Sequence, residues 1–346
     1  MDRTLPSIPV ELQARLRQCQ TLPSPPKLAL QIIALIQDPD ITIEKVVEAL
    51  SKDPALVVKI LRLANSAYYA HQRKVSTIEK AIMIVGLNGI LSFSLSFSLV
   101  QSFRTNQLQG LNFQWYWLRA LIAGSACRSL AEICHRHDTA ELFTAGLIQD
   151  TGMMAIDQIE PEFYASHDVT RTPHQQIMVW ETEQFGVSHA VIGSWLFSQW
   201  NFPTTLALAP LYSDESHPRS SVPDQELFFK FVALACSLAD IFLLQSGDDV
   251  ILSVADRLES ELGHGALALP TILKSIGNLA QEHASIYDIE CGDEVSAELI
   301  YEKARDLLVA RAMQSPQPLD VLLSEMISHP LASEDSPPGS LRSQSH

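Results

Sequence analysis

Few side chains in this 346-residue chain stand at spacings that could do chemistry. Cys134, His135 and His137 crowd three metal donors around Arg136. Neighbours so close in sequence are hard to aim at one tetrahedral ion, so a solvated helix end is the plainer reading. Cys127 and Cys134 share one face of a helix, where cysteine packs as a small apolar group. Ser188-His189 opens an apolar run containing Val191, Ile192, Trp195 and Leu196. Ser188 is therefore expected to cap a helix and His189 to occupy its first turn. Asp150 sits in the largely apolar run Ala145–Ile156. An unpartnered carboxylate buried there would cost on the order of several kcal/mol. No Ser-His-Asp or Cys-His arrangement is nominated, because sequence order alone does not specify a triad.

The elements that must position these groups read as helices. Ile43, Val46, Val47 and Leu50 follow the i, i+3, i+4, i+7 template, and so do Val57, Ile60, Leu61 and Ala64. Leu118, Leu121, Ile122 and Ser125 open another amphipathic helix, and Ile300, Ala304, Leu307 and Leu308 mark a later one. Asp38-Pro39-Asp40 and Asp53-Pro54 punctuate them, since proline suits a first helical turn and not an interior. No strand-rich pattern and no Gly-rich phosphate loop occurs, which counts against a doubly wound nucleotide fold. Residues 81–100 carry no charge and have the length of a membrane span, but four serines and Asn88 dilute them. Within them Ser92 to Leu99 alternate with period two, a strand signal inside helical surroundings, and the stretch is read as helix. Residues 190–213 are also uncharged and are interrupted by Pro203 and Pro210. Both segments are read as buried core helices.

Composition narrows the function classes. Hydrophobic residues make up 47% of the chain, enough for a sizeable core. The 24 basic and 40 acidic residues give a net charge of -16, which repels phosphate backbones and anionic lipids. Neither a nucleic-acid nor a membrane partner is expected. Five scattered cysteines without a CxxC pair fit a reducing compartment. The first residues lack the apolar stretch of a signal peptide, so a cytoplasmic location is expected. Segment 282–306, with eight acidic residues and two basic ones, reads as a solvated face.

Three stretches together resemble the HDOD family, a branch of the HD-domain superfamily found in bacterial signalling proteins. The first contains Leu22-Pro23-Ser24-Pro25-Pro26, Asp53-Pro54-Ala55-Leu56 and Leu61-Arg62-Leu63-Ala64-Asn65-Ser66-Ala67-Tyr68-Tyr69, and continues to Ile78-Glu79-Lys80-Ala81-Ile82 and Val85-Gly86-Leu87. The second is Ala145-Gly146-Leu147-Ile148-Gln149-Asp150-Thr151-Gly152, and the third is Phe185-Gly186-Val187-Ser188-His189 with Gly193, Trp200 and Pro203. The physical logic of the first is readable by itself. Asp53-Pro54 starts a helix, Asn65-Ser66 can end it through side-chain bonds to free backbone groups, and the two tyrosines pack beside the turn. It is read as packing.

The resemblance implies an all-α, multi-helix bundle of HD type. An HDOD-like domain is expected over residues 1–215, a C-terminal helical region over 216–312, and a mostly disordered tail over 313–346. Residues 213–225 form the linker, and Leu319, Leu322, Leu323 and Met326 give the tail one short helical pattern. Catalytic HD-domain phosphohydrolases hold metal ions on histidines and aspartates that include an adjacent His-Asp pair, and those ions activate water. Carried onto this chain, that set is depleted. The pair becomes Gln149-Asp150, Arg119 stands nearest to an earlier expected histidine, and Leu211-Tyr212-Ser213 contains none where a later one is expected. His189 and Asp240 remain beside Asp150 as remnants. An arginine cannot ligate a cation, so neither metal nor cofactor is expected, and Arg119 is expected to pair with Asp150 in the metal's place. The implied function is non-catalytic regulation through a signalling-protein partner or a small ligand. The alternative is a metal-dependent HD-type phosphohydrolase acting on a cyclic dinucleotide.

Overall fold

The computed structural model describes residues 7–19, 21–22, 24–69, 74–104, 108–215, 223–244, 248–292 and 296–314. The N-terminal helices are α1 (Val10–Gln18), α2 (Lys27–Ile36), α3 (Ile43–Leu50), α4 (Pro54–Ala64) and α5 (Ile78–Val85). The middle of the chain forms α6 (Leu87–Arg104), α7 (Phe113–Ile133), α8 (Thr139–Ile148) and α9 (Thr151–Ile159), then α10 (Pro161–Ser166), α11 (His174–Phe185), α12 (His189–Gln199) and α13 (Thr204–Tyr212). After these come α14 (Pro223–Leu243), α15 (Asp248–Leu262), α16 (Leu269–Tyr287) and α17 (Ala297–Gln314). No strand occurs among the described residues, and the all-α reading holds. The tail and its Leu319–Met326 pattern lie outside the described residues, apart from the end of α17. Of the linker, 216–222 lies outside them and α14 begins at Pro223.

Local chemistry starts the helices where the sequence places punctuation. Asp53 accepts from the backbone N–H groups of Ala55 and Leu56 at 2.9 and 3.1 Å, with Pro54 at the first helical position of α4. Thr42, Thr77 and Asn112 cap α3, α5 and α7 in the same way. Gly86, at φ 88°, ends α5, and α6 departs at 111° to it. The uncharged segment 81–100 is thereby divided, and among the described residues no single helix is long and apolar enough to cross a membrane.

Ser92 to Leu99 are helical, and both phases of their alternation are buried in α6. A helix with neighbours on all sides needs no polar face. Ser96 bonds both locally and across: its Oγ donates to the Phe93 carbonyl at 2.9 Å and lies 2.6 Å from the Tyr287 hydroxyl.

The axis of the assembly is α7, buried from Trp115 to Ala131. Helices α8, α14 and α16 pack on it, while α12 packs on α9 and α13. Two glycines set the closest crossings. A Cβ at Gly146 would lie 2.6 Å from the Ala123 carbonyl oxygen, and one at Gly152 would lie 2.0 Å from that of His189. Only hydrogen fits at either place, so α8 sits hard against α7 and α9 against α12. The helices from α14 onward share the same hydrophobic core as the N-terminal two thirds.

Candidate functional site

Four segments converge beside α7. Arg119 projects from the middle of that helix, and Asp150 lies in the break between α8 and α9. His174 is the first residue of α11, His189 the first of α12, and Asp240 lies near the end of α14. Glu181, on α11, completes the group. Arg119, Asp150, His174, Glu181 and His189 are each at most 1% exposed, and Asp240 is 7% exposed.

Arg119 bridges two carboxylates. Its Nε donates to Asp150 Oδ2 at 3.0 Å and its Nη1 to Asp240 Oδ1 at 2.6 Å, with Nη2 3.4 Å from the Cys236 carbonyl. The Trp115 ring lies 5.8 Å from the guanidinium carbon. The other oxygen of Asp240 accepts from the backbone N–H of His174 at 3.0 Å, so one carboxylate ties α14 to both α7 and the first turn of α11.

On the other side of Asp150 are the two imidazoles. Asp150 Oδ1 lies 3.0 Å from His174 Nε2 and 3.6 Å from His189 Nε2, and the two ring nitrogens are 3.0 Å apart. His189 is held from behind by Glu181, whose Oε2 accepts from its backbone N–H at 2.7 Å and from its Nδ1 at 2.6 Å. Tyr164 donates to the second oxygen of Glu181 at 2.6 Å.

The charges follow from these contacts. Burial by itself would raise the carboxyl of Asp150, but the imidazole of His174 and the guanidinium of Arg119 outweigh it and hold the group well below the usual carboxylate range. Burial would likewise depress His189, yet Glu181 and Asp150 push it up to about 9. His174 is depressed, first by burial and then by the charge of Arg119. Arg119 and a protonated His189 thus face three carboxylates.

The structure brings Arg119, Asp150, His189 and Asp240 together and leaves Gln149 out. The Gln149 side chain is buried, and neither its oxygen nor its nitrogen has a hydrogen-bond partner. One expectation is corrected. Ser188 makes no side-chain cap on α12; the carboxylate of Glu181 takes the His189 N–H instead, because a charged acceptor holds a helix N-terminal donor more strongly than a hydroxyl. His189 does occupy the first turn of α12, and its ring also joins the cluster. His174 and Glu181 were missed. Their signal was present in sequence: seven residues separate them, which places both on one face of α11, and His189 follows eight residues later. By contrast, His135 and His137 are exposed at the end of α7, as a solvated helix end requires.

Asp150, His174 and His189 also form the one cluster among the described residues whose donor atoms could share a metal ion, all lying within 4.8 Å of one another. Three donors of this kind fit one divalent ion, and the Glu181 contact to His189 is the outer support that metal-bound histidines usually have. A second ion does not fit. Asp240 is committed to Arg119 and to the His174 backbone, and Gln149 makes no hydrogen bond to any member of the cluster.

The HDOD domain family model matches residues 22–215, a span that includes every member of the cluster except Asp240. An uncharacterized protein of Treponema pallidum (strain Nichols) is 28% identical over 188 residues, which are 53% of this chain and 35% of that protein. The match therefore spans about a third of the relative's length. The fold is similar to a solved HDOD domain protein of unknown function from Geobacter sulfurreducens, with a TM-score of 0.60 at 23% identity, covering 86% of this chain and 96% of the other. It is similar also to a candidate phosphohydrolase from Shewanella amazonensis SB2B, with a TM-score of 0.59 at 23% identity over 79% and 98% of the two chains. At these identities the structural likeness shows the fold alone.

Proposed function

This chain belongs to the HDOD family, and from that premise we propose that it is a non-catalytic regulatory module working through a signalling partner or a small ligand. The observation that carries the reading is the place of Arg119. Its guanidinium occupies one oxygen of Asp150 and one of Asp240, the carboxylates an HD-type centre would offer to metal. A fixed side-chain cation there neutralises the carboxylates without an exchangeable ion, and it repels a second one. The cluster then serves as a buried polar hub that joins α7, α9, α11, α12 and α14 in one arrangement.

A second reading has its own support. Three donor atoms spaced at 3.0, 3.0 and 3.6 Å converge on one point, and a divalent ion can satisfy them as the N–H of one imidazole does. Asp150, His174 and His189 would hold such an ion, which when bound supplies Lewis-acid activation of water. On that reading the chain is a mononuclear relative of the HD-type phosphohydrolases, with a cyclic dinucleotide as the substrate to test.

Elemental analysis of untagged protein, purified without chelator, separates the two. The regulatory reading expects no stoichiometric transition metal and no hydrolysis of bis(p-nitrophenyl) phosphate or of cyclic dinucleotides when manganese is added. One equivalent of metal that is lost in Asp150→Ala, together with metal-dependent hydrolysis, would overturn it.

A further inference from the structure

The segment Leu61–Tyr69, read from sequence as packing, also lines a groove. After α4, Asn65 closes the turn: its Nδ2 donates to the carbonyls of Leu61 and Val75 at 2.6 and 2.9 Å, and its Oδ1 accepts from the Val75 N–H at 2.8 Å. This clamp holds the chain at Lys74–Ser76 opposite α16, and Arg62 reaches across to the Ser285 carbonyl at 2.8 Å. Between these elements lies a groove of about 1010 Å³. Val58, Leu61, Val75 and Ile286 supply apolar walls, and Arg62 and Lys74 supply positive charge.

Polar atoms in and behind the groove lack partners. Ser66 Oγ and Glu282 Oε1 both belong to lining residues, and both are buried without a hydrogen bond. Next to the lining residues Ala67 and Glu282 stand Tyr68 and His283, and both of these contact Arg128. Its guanidinium lies 3.9 Å from the Tyr68 ring centre, its Nη1 is 3.4 Å from His283 Nε2, and its Nε donates to Glu132 at 3.0 Å. Arg128 is 4% exposed, and its Nη2 has no partner. An unpartnered hydroxyl and an unpartnered carboxylate oxygen, contributed by two separate elements, thus line one space together with the cationic Arg62 and Lys74. Their chemistry specifies what would complete them: an anionic group for the cations, an N–H or O–H for Glu282, and an apolar body for the walls.

We propose that this groove is a ligand site for a small amphiphilic organic anion that also carries an N–H or O–H donor. The site shares no residue with the Asp150 cluster and does not rest on the non-catalytic reading. It is built from both the family-matched region and α16, which lies beyond residue 215. A ligand there would bind the two parts together.

Anilinonaphthalene sulfonate is a fitting probe, since it combines a sulfonate, an N–H and apolar rings and reports binding by fluorescence. Titrated into the full chain it should saturate at one equivalent. Val58→Asp, Lys74→Ser and Glu282→Leu should each weaken binding by about tenfold, the scale of one lost charge-assisted or well-packed contact. Met83→Ser, at a surface methionine outside the groove, should leave it unchanged, and circular dichroism should show all four variants folded. Binding that does not saturate, that survives the three groove substitutions, or that falls equally with Met83→Ser would overturn the assignment.

Discussion

Replacing Arg119 with Met keeps an unbranched apolar stem, shortens the side chain and deletes the charge between Asp150 and Asp240. Both ion pairs are short, at 3.0 and 2.6 Å, and Arg119 and Asp150 are each 1% exposed, so solvent screening does little to reduce their strength. With charge centres about 4 Å apart and an effective dielectric of about 20, each pair gains about 4 kcal/mol before desolvation. Desolvation consumes much of that in the intact protein. It cannot be recovered in the variant, because two buried carboxylates are left facing each other. Removing one partner of such a network costs about 3–5 kcal/mol, a large share of the roughly 5–15 kcal/mol that holds a domain folded. Urea unfolding followed by circular dichroism at neutral pH should show the midpoint falling by that equivalent with the slope unchanged. The triple variant Arg119→Met/Asp150→Asn/Asp240→Asn should recover part of the loss, since it removes the stranded charges along with their partner. A loss below about 1 kcal/mol in Arg119→Met, the scale of an exposed pair, would refute the argument. It would mean that some other cation neutralises these carboxylates, and the metal reading would gain what the regulatory one loses.

Further outcomes follow from the same geometry. Glu181→Gln weakens the charge-assisted acceptor shared by the His189 N–H, its Nδ1 and Tyr164, and should lower stability by about 2–4 kcal/mol in the same urea assay; Tyr164→Phe, which deletes only one donor, should cost about 1 kcal/mol. Gly152→Ala would force a methyl to 2.0 Å from the His189 carbonyl oxygen. It should cost about 3 kcal/mol or more, through separation of α9 from α12, and a melting temperature equal to wild type would contradict this. His283, stacked on Phe143 and facing Arg128, is pushed down to about 3, first by burial and then by the arginine's charge. Its folded value lies below the unfolded 6.5, so its contribution to stability is complete above that pH and is lost as pH falls toward 3. The stability difference between wild type and His283→Phe should therefore shift in favour of the variant between about pH 7 and pH 4, and a constant difference would reject the assignment.

The helices were legible because their signals are local. Asp53, Thr42 and Thr77 each stand immediately before an apolar repeat, and each accepts a backbone N–H as a cap. The segment Ser92–Leu99 shows where a local signal misleads. Its period-two alternation reports a polar and an apolar face only when one side meets water, and α6 is buried on both. Serine can satisfy its hydroxyl on its own helix backbone, as Ser96 does on Phe93, so alternation carries no information on fold once a segment is fully enclosed.

The site was legible to a smaller degree, and the reason is the order in which its parts are assembled. Arg119, Asp150, His189 and Asp240 were each reachable through the family resemblance, yet the contacts that give them meaning span 121 residues between Arg119 and Asp240. His174 and Glu181 have no partner within their own helix that would mark them. Their significance comes from Asp240 holding the first N–H of α11 and from Glu181 holding the first N–H of α12. Each of these carboxylates therefore has two tasks at once: it caps a helix and it sets the charge of the cluster. That coupling argues against treating the cluster as the residue of a lost activity. Had it decayed freely, the buried carboxylates would be the first groups to go, since each is costly unless it is paired. Here every one of them is paired, and each holds a neighbouring element in place: Asp240 fastens α14 to α7 and α11, Asp150 joins Arg119 to both imidazoles, and Glu181 fixes α12. A network that fastens five segments through three acids has a task in the present molecule: it holds those segments in a single arrangement.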